Sequence, residues 1–135
     1  MALVTWTPKM SVGVAKLDRQ HQGLFDIMNQ LHEGMLRGRG SEVLGSAIVN
    51  LTQYTKVHFG EEETLLRSHG YPRLAEHLKM HEAFRNKLAE LDGHFKAWTA
   101  AMAVSTIDFL RDWLSKHILS VDTQYKEFLN AQGVQ

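Results

Sequence analysis

Histidine is the residue type that stands out here, because the 135 residues contain eight of it and several lie at helical spacing. His58 and Glu62 are four residues apart, and so are His77 and His81. Side chains four residues apart project from the same face of an α-helix. Imidazole and carboxylate groups together suit borderline metals such as iron, zinc, copper and manganese. These spacings therefore predict metal binding by helical segments.

Two further segments place a histidine on an apolar helical stripe. His21 lies on the stripe of Leu24 and Met28, and His117 follows Leu114 by three residues. Burying an imidazolium or a carboxylate is costly unless something compensates its charge, and a metal ion compensates both kinds of ligand. With the two spaced pairs, these segments bring five imidazoles to the predicted core. That number is too large for one open metal site, so two metals joined by carboxylates fit better.

Glu62 and Asp122 are the carboxylates that we expect to bridge the two metals. Asp122 follows His117 by five residues, a spacing that turns the two side chains about 140° apart on a straight α-helix. Both side chains reach one site only if the helix ends, unwinds or forms a π-like turn between Ile118 and Val121. We therefore predict a helix irregularity at that point.

The remaining histidines and the acids beside Glu62 are predicted to lie at the surface. The histidines at the edge of the stripes, or off them, are His32, His69 and His94. Glu61 and Glu63 point away from the direction of Glu62, because successive residues of a helix are turned by about 100°. We therefore expect solvent around both of these carboxylates.

Four amphipathic helices must position these residues. The apolar pattern predicts helices that begin near Asp18, Ser41, Arg73 and Val104 or Ser105. The first should end between Gly34 and Gly40, the second at Gly70, and a short tail helix should cover residues 122 to 130. An irregular arm, residues 1 to about 17, is expected to pack along them. The pattern predicts one all-α domain that spans residues 1–135. Its expected architecture is an up-down-up-down antiparallel four-helix bundle.

Composition and missing motifs exclude several classes of function. The 15 basic and 15 acidic residues balance, which gives no attraction to nucleic acid and weakly favours a monomer. Cysteine is absent, so disulfides and thiolate metal sites are excluded. The sequence has no membrane-spanning run and no signal peptide, which predicts a cytoplasmic location. Neither the Glu-x-x-His of ferritin-like bundles nor the His-Glu-x-x-His of zinc proteases occurs.

The order and spacing of the candidate ligands resemble the hemerythrin family, and within it the single-domain bacterial branch. The family pattern is a histidine near the start of the first helix, then His-x-x-x-Glu, His-x-x-x-His and His-x-x-x-x-Asp. The matching positions here are His21, His58 with Glu62, His77 with His81, and His117 with Asp122. The step Trp113–Leu114 and the arm from Trp6 to Leu17 are also similar to the family. The resemblance covers nearly the whole chain.

This resemblance implies two iron ions, Fe²⁺ or Fe³⁺ according to state, joined by an oxo or hydroxo bridge. One iron would take three imidazoles, from His77, His81 and His117. The other would take two imidazoles, from His21 and His58, and keep a position open for dioxygen. Glu62 and Asp122 would bridge the two ions.

The resemblance also implies reversible dioxygen binding, for storage, transport or delivery to an oxygen-consuming enzyme, without enzymatic activity. The alternatives are a di-iron enzyme or a sensor that handles peroxide, nitric oxide or iron. Five neutral imidazoles and two carboxylates donate less negative charge than a carboxylate-rich site, which favours a carrier over an oxygenase. A carrier also needs an apolar wall that excludes water and protons. The candidates for this wall are Leu114, Ile118, Phe25 and Phe59.

Overall fold

Four long helices dominate the computed structural model, which describes residues 4–93 and 100–135. In chain order, the helices are α1 (Ala15–Leu36), α2 (Gly40–Ser68), α3 (Leu74–Gly93), α4 (Ala100–Ser120) and the short α5 (Lys126–Ala131). One 3₁₀ turn, Pro8–Met10, precedes α1, and another, Asp122–Tyr125, joins α4 to α5. α2 packs against α1 and α3, and α4 packs against α1 and α2. The predicted all-α four-helix bundle is confirmed, and the described ranges contain no strand.

Glycine ends both α1 and α2 by the same hydrogen-bond pattern. Gly70 has a φ of +71°, and the amide of Tyr71 donates to the carbonyl of Leu66 at 2.9 Å. At the end of α1, Gly38 has a φ of +73°, and the amide of Arg39 donates to Gly34 at 2.9 Å. This left-handed conformation costs glycine little, which is why it closes helices in the Schellman motif. The predicted ends of both helices are confirmed.

The starts of two helices differ from the sequence-based expectation. α1 begins at Ala15 rather than at Asp18. Asp18 does not cap the helix, because its carboxylate accepts hydrogen bonds from the Ser11 hydroxyl at 2.6 Å and the Val12 amide at 2.8 Å. α4 begins at Ala100, several residues before Val104. The added turn, Ala-Ala-Met-Ala, consists of strong helix formers.

The N-terminal arm packs on the bundle, as expected. Val4 and Met10 belong to the main apolar core, which fills the space between the long helices. Val12 and Leu17 belong to a second apolar cluster near the end of α2, which also contains Tyr125 of the turn after α4. The arm and the C-terminal segment therefore cover the end of the bundle where α4 gives way to the 3₁₀ turn.

Within residues 4–93 and 100–135, no helix combines the length and the apolar character that crossing a bilayer requires.

Candidate metal centre

The seven predicted ligand side chains meet in the interior of the bundle. They come from all four long helices and from the turn after α4, and they are His21, His58, Glu62, His77, His81, His117 and Asp122. None of them is more than 5% exposed. Seven ionisable groups thus share one water-poor space.

The end of α4 brings Asp122 to the cluster. α4 stops at Ser120, and Asp122 opens the 3₁₀ turn that follows. As a result, Oδ1 of Asp122 lies 3.0 Å from Nε2 of His117, although five residues separate them. The predicted irregularity between Ile118 and Val121 is confirmed, and its effect is to place both side chains at one site.

Glu62 presents one carboxylate oxygen to each of two groups of imidazoles. Its Oε1 lies 2.5 Å from Nε2 of His77 and 3.0 Å from Nε2 of His81. Its Oε2 lies 3.6 Å from Nε2 of His21 and 3.4 Å from Nε2 of His58. The carboxylate therefore spans the space between the two groups.

Asp122 is arranged in the same way. Its Oδ1 lies 3.2 Å from Nε2 of His77 and close to His117, while its Oδ2 lies 3.2 Å from Nε2 of His21. Both carboxylates thus face His77 of α3 with one oxygen and His21 of α1 with the other.

Two overlapping groups of residues could each hold a metal ion. Within each group, one ligand atom per residue lies within 4.8 Å of all the others. One group contains Glu62, His77, His81, His117 and Asp122. The other contains His21, His58, Glu62 and Asp122. Since the two groups share both carboxylates, the arrangement suits a pair of bridged metal ions.

The hydrogen bonding of the cluster also fits a pair of metal ions. Nε2 of His21 and both carboxylate oxygens of Asp122 are buried without a hydrogen-bond partner in the described part of the chain. Nε2 of His81 and Nε2 of His117 face each other at 3.2 Å. A buried polar atom left unpaired costs about 1–3 kcal/mol. Imidazole and carboxylate donors suit iron, and an ion in each group would give these atoms their missing partner.

Without metal, the two carboxylates draw protons onto some of the imidazoles. Burial acts to lower the pKa of His21, but Asp122 and Glu62 outweigh it and raise that pKa to about 9. The same opposition raises the pKa of His77 to about 10. At His58 burial prevails and lowers the pKa to about 4. Metal ions would therefore displace protons from part of this cluster.

The carboxylates themselves stay ionised in spite of their burial. Burial acts to raise the pKa of Glu62, yet the imidazoles of His21 and His77 beside it hold that pKa well below its usual value. Burial and the charge of Glu62 act to raise the pKa of Asp122. The imidazoles of His117 and His21 outweigh both effects, so this pKa lies well below its usual value. Both side chains are therefore available as anionic ligands.

Glu63 lies against the cluster, which corrects the expectation that solvent surrounds it. Its side chain is 15% exposed, and its Oε2 accepts hydrogen bonds from Nδ1 of His81 at 2.7 Å and from Arg85 at 2.9 Å. The turn of 100° per residue fixes directions on α2 alone, whereas α3 brings both donors to this carboxylate. A usable signal was Arg85, which follows His81 by four residues and so shares its helix face. Glu61, by contrast, is 34% exposed and pairs with Lys16.

Gln20 and Tyr125 are further contacts of the ligands that the sequence did not reveal. Oε1 of Gln20 accepts a hydrogen bond from Nδ1 of His58 at 2.6 Å. The buried Tyr125 hydroxyl donates to Oε2 of Glu62 at 2.7 Å, and burial together with the charge of Glu62 raises the pKa of this tyrosine well above its usual value. Both contacts join residues distant in sequence, so local spacing carries no trace of them.

The predicted wall residues lie in the apolar core around the centre. Phe25, Phe59, Leu114 and Ile118 are each at most 3% exposed and belong to the main cluster. The Phe59 ring stacks on the His81 imidazole, with centroids 3.7 Å apart. Phe59 thus covers one face of a ligand imidazole with an apolar ring.

A stacked aromatic ring and two surface cavities lie next to ligand histidines. Trp113 stacks on His117, with centroids 4.4 Å apart, beside a cavity of about 500 Å³ between α3 and α4. A second cavity, of about 590 Å³, is lined by His58 and Gln20 between α1 and α2. A ligand histidine is among the lining residues of each cavity, His117 in the first and His58 in the second.

The histidines predicted to lie outside the site do so where the structure describes them. His32 and His69 are partly exposed and belong to neither ligand group. His94 lies outside the described residues.

Comparison with known proteins agrees with this geometry. The family model described as the hemerythrin HHE cation binding domain matches residues 12–129. A bacteriohemerythrin of Methylococcus capsulatus is 37% identical over 132 residues, which are 97% of this chain and 100% of that protein. A myohemerythrin of Riftia pachyptila is 28% identical, over 90% of this chain and 89% of that protein. A crystal structure of wild-type hemerythrin matches with a TM-score of 0.80 and 34% identity, over 93% and 97% of the two chains. The chain belongs to the hemerythrin family.

Proposed function

We propose that this protein binds dioxygen reversibly at a di-iron centre, for storage, transport or delivery to an oxygen-consuming enzyme. The observation that carries this proposal is the pair of overlapping ligand groups that share Glu62 and Asp122. Membership of the hemerythrin family supports the same function. We also expect the protein to act as a monomer, which the balance of acidic and basic residues supports.

In this proposal the ligands divide as the carboxylate oxygens do. His77, His81 and His117 would hold one iron, and His21 and His58 would hold the other. Glu62 and Asp122 would be ligands of both irons, which is supported by the way each carboxylate faces both groups. A pair of ferrous ions held by these residues would supply the two electrons that reversible dioxygen binding needs.

The protein side chains would keep this exchange reversible. Three imidazoles on one side against two on the other support an open coordination position beside His21 and His58. Phe25, Phe59, Leu114 and Ile118 would exclude water and protons, which otherwise displace the bound dioxygen. That role is supported by their burial in the core that encloses the ligands.

The donor set supports a carrier rather than an enzyme. Five neutral imidazoles and two carboxylates leave the centre with less negative charge than a carboxylate-rich di-iron site. Highly oxidised iron, which cleavage of the O–O bond requires, is therefore harder to reach. The names of the similar proteins, bacteriohemerythrin and myohemerythrin, point the same way.

The test is to load the metal-free protein with ferrous iron in the absence of air and then to admit dioxygen. We expect a visible absorption band that appears with dioxygen, fades on degassing and returns over repeated cycles. A single irreversible oxidation, accompanied by turnover of an added substrate, would support an enzyme instead.

Replacement of one ligand in each group tests the assignment of residues. His58→Ala and His117→Ala should each abolish the reversible band, because each removes an imidazole from one ion. His32→Ala is the matched control, since this partly exposed histidine belongs to neither group, and it should leave the band intact. An unchanged band in His58→Ala would overturn the ligand assignment.

A further inference from the structure

Two of the buried imidazoles form hydrogen bonds through Nδ1 to partners of different charge. Nδ1 of His81 faces the carboxylate of Glu63, whereas Nδ1 of His58 faces the amide oxygen of Gln20. In the described part of the chain, Nδ1 of His21 and Nδ1 of His77, one in each ligand group, have no hydrogen-bond partner. The difference therefore separates the two groups of ligands, since His81 belongs to one and His58 to the other.

Glu63 gives His81 a charged acceptor that is fixed in place. Its Oε2 accepts from Nδ1 of His81 at 2.7 Å and from Nη2 of Arg85 at 2.9 Å, and Arg85 also lies over the Phe59 ring. A carboxylate only accepts at this contact, so Nδ1 carries a proton and Nε2 is the nitrogen of His81 that remains to bind a metal ion. A negative charge behind an imidazole raises its basicity towards a metal.

Gln20 gives His58 a neutral acceptor whose orientation is also fixed. The amide nitrogen of Gln20 donates to Oε2 of Glu61, and Oε1 of Glu61 pairs with Lys16 at 3.0 Å. A flipped amide would set its NH₂ against the Nδ1–H of His58 and its oxygen against Glu61. This chain of contacts keeps the proton of His58 on Nδ1, but it brings no negative charge next to the ring.

We propose that Glu63 and Gln20 are positioning residues that make the two metal positions electronically unequal. The position of His77, His81 and His117 receives added electron density through Glu63, and the position of His21 and His58 receives only neutral imidazoles. This inference rests on the proposed ligand assignment and adds to it a cause for unequal affinity and reduction potential. The more electron-rich position binds a divalent ion more tightly and is more easily oxidised.

Exchange of charge without loss of hydrogen bonds tests this proposal. Glu63→Gln keeps an acceptor of the same size and removes the negative charge next to Nδ1 of His81. The double variant Gln20→Glu/Glu61→Gln keeps the net charge and the sequence of hydrogen bonds, and it moves the charge next to His58. Glu82→Gln is the matched control, because this exposed acid lies next to His81 in sequence.

The readout is anaerobic titration of each metal-free variant with Co²⁺, followed by absorbance. Glu63→Gln should weaken one of two binding steps by about 10- to 100-fold, the loss typical when a partner of a metal-bound histidine is removed. The same step should weaken in His117→Ala, and the double variant should strengthen the other step. Glu82→Gln should change neither.

The midpoint potential of the iron-loaded protein is the second readout. It should rise in Glu63→Gln, because lost negative charge disfavours the oxidised ions, and fall in the double variant. If both quantities stay at wild-type values in the two variants, the proposal is wrong and these residues only pack. If Glu63→Gln fails to fold, as judged by circular dichroism, the double variant alone decides. Failure of the wild type to bind two Co²⁺ ions would instead overturn the proposed di-metal site.

Discussion

At the scale of single residues, the centre depends on carboxylates that are buried yet charged. Glu62 accepts a hydrogen bond from Tyr125 and lies within 3.6 Å of four imidazole nitrogens. Asp122 has imidazoles around both oxygens. Without metal, protons on the imidazoles compensate these charges, so protons and metal ions compete for the same atoms.

Metal binding should therefore release protons at neutral pH. His21 and His77, with pKa values raised to about 9 and about 10, carry protons at pH 7 and must lose them to become ligands. The apparent metal affinity should thus rise as the pH approaches those values. Calorimetric titration with Zn²⁺ at pH 7, in two buffers of different ionisation enthalpy, measures the release. Equal heats in the two buffers would contradict this prediction.

At the scale of the helices, residue spacing predicts the ligands but not the residues that form hydrogen bonds with them. The pairs His58–Glu62 and His77–His81 are visible in the sequence because one turn of helix relates their members. The irregularity before Asp122 could be predicted because a straight helix would separate it from His117. Glu63 was predicted to face solvent, because its partners His81 and Arg85 belong to α3 and the packing of α2 on α3 brings them to it.

The starts of the helices show the same limit. Asp18 has the residue type of a helix cap, but it binds the arm through Ser11 and Val12, a contact that only the packed structure defines. The ends of α1 and α2 were predictable because Gly38 and Gly70 adopt a conformation that glycine favours. The ends of helices can therefore be predicted from the sequence where tertiary contacts do not compete with local conformational preferences.

Close packing of α1 on α2 requires a glycine at position 34. A Cβ at Gly34 would lie 2.6 Å from Cγ2 and 2.8 Å from Cγ1 of Val43. Rotation of a branched side chain cannot relieve both contacts, so Gly34→Ala should lower the free energy of unfolding by about 1–3 kcal/mol. Urea denaturation of the metal-free protein provides the measurement.

Gly60→Ala is the control for this substitution. A Cβ at Gly60 meets nothing within 4 Å among the described residues, so the greater helix propensity of alanine should act alone. We expect a gain of up to about 1 kcal/mol. Equal effects of the two substitutions would show that the packing of Gly34 on Val43 does not limit stability.

At the scale of the whole molecule, the bundle encloses a polar centre within an apolar shell. The core side chains of the four long helices surround the ligands, and the arm and the C-terminal segment cover one end. Such a shell excludes bulk water, which strengthens the electrostatic interactions inside it. Reversible dioxygen binding in this account thus depends on residues that never touch a metal.

Leu114→Ala tests the shell. Opening the core beside α4 should admit water and accelerate irreversible oxidation of the oxygenated protein, measured as decay of its visible band. Leu129→Ala is the control, because Leu129 is equally buried but belongs to the second apolar cluster. Both variants should lose about 2–5 kcal/mol of stability. An equal acceleration of oxidation in both would assign the effect to general loosening rather than to the shell at Leu114.

The most direct test of the central claim is the stoichiometry of dioxygen uptake. The ferrous protein, with its iron content determined by elemental analysis, is equilibrated with dioxygen, degassed, and the gas taken up and released is measured. A reversible di-iron carrier should bind two irons per chain, take up one dioxygen for each pair of irons, and release that dioxygen on degassing. Uptake without recovery, or one iron per chain at saturation, would contradict it.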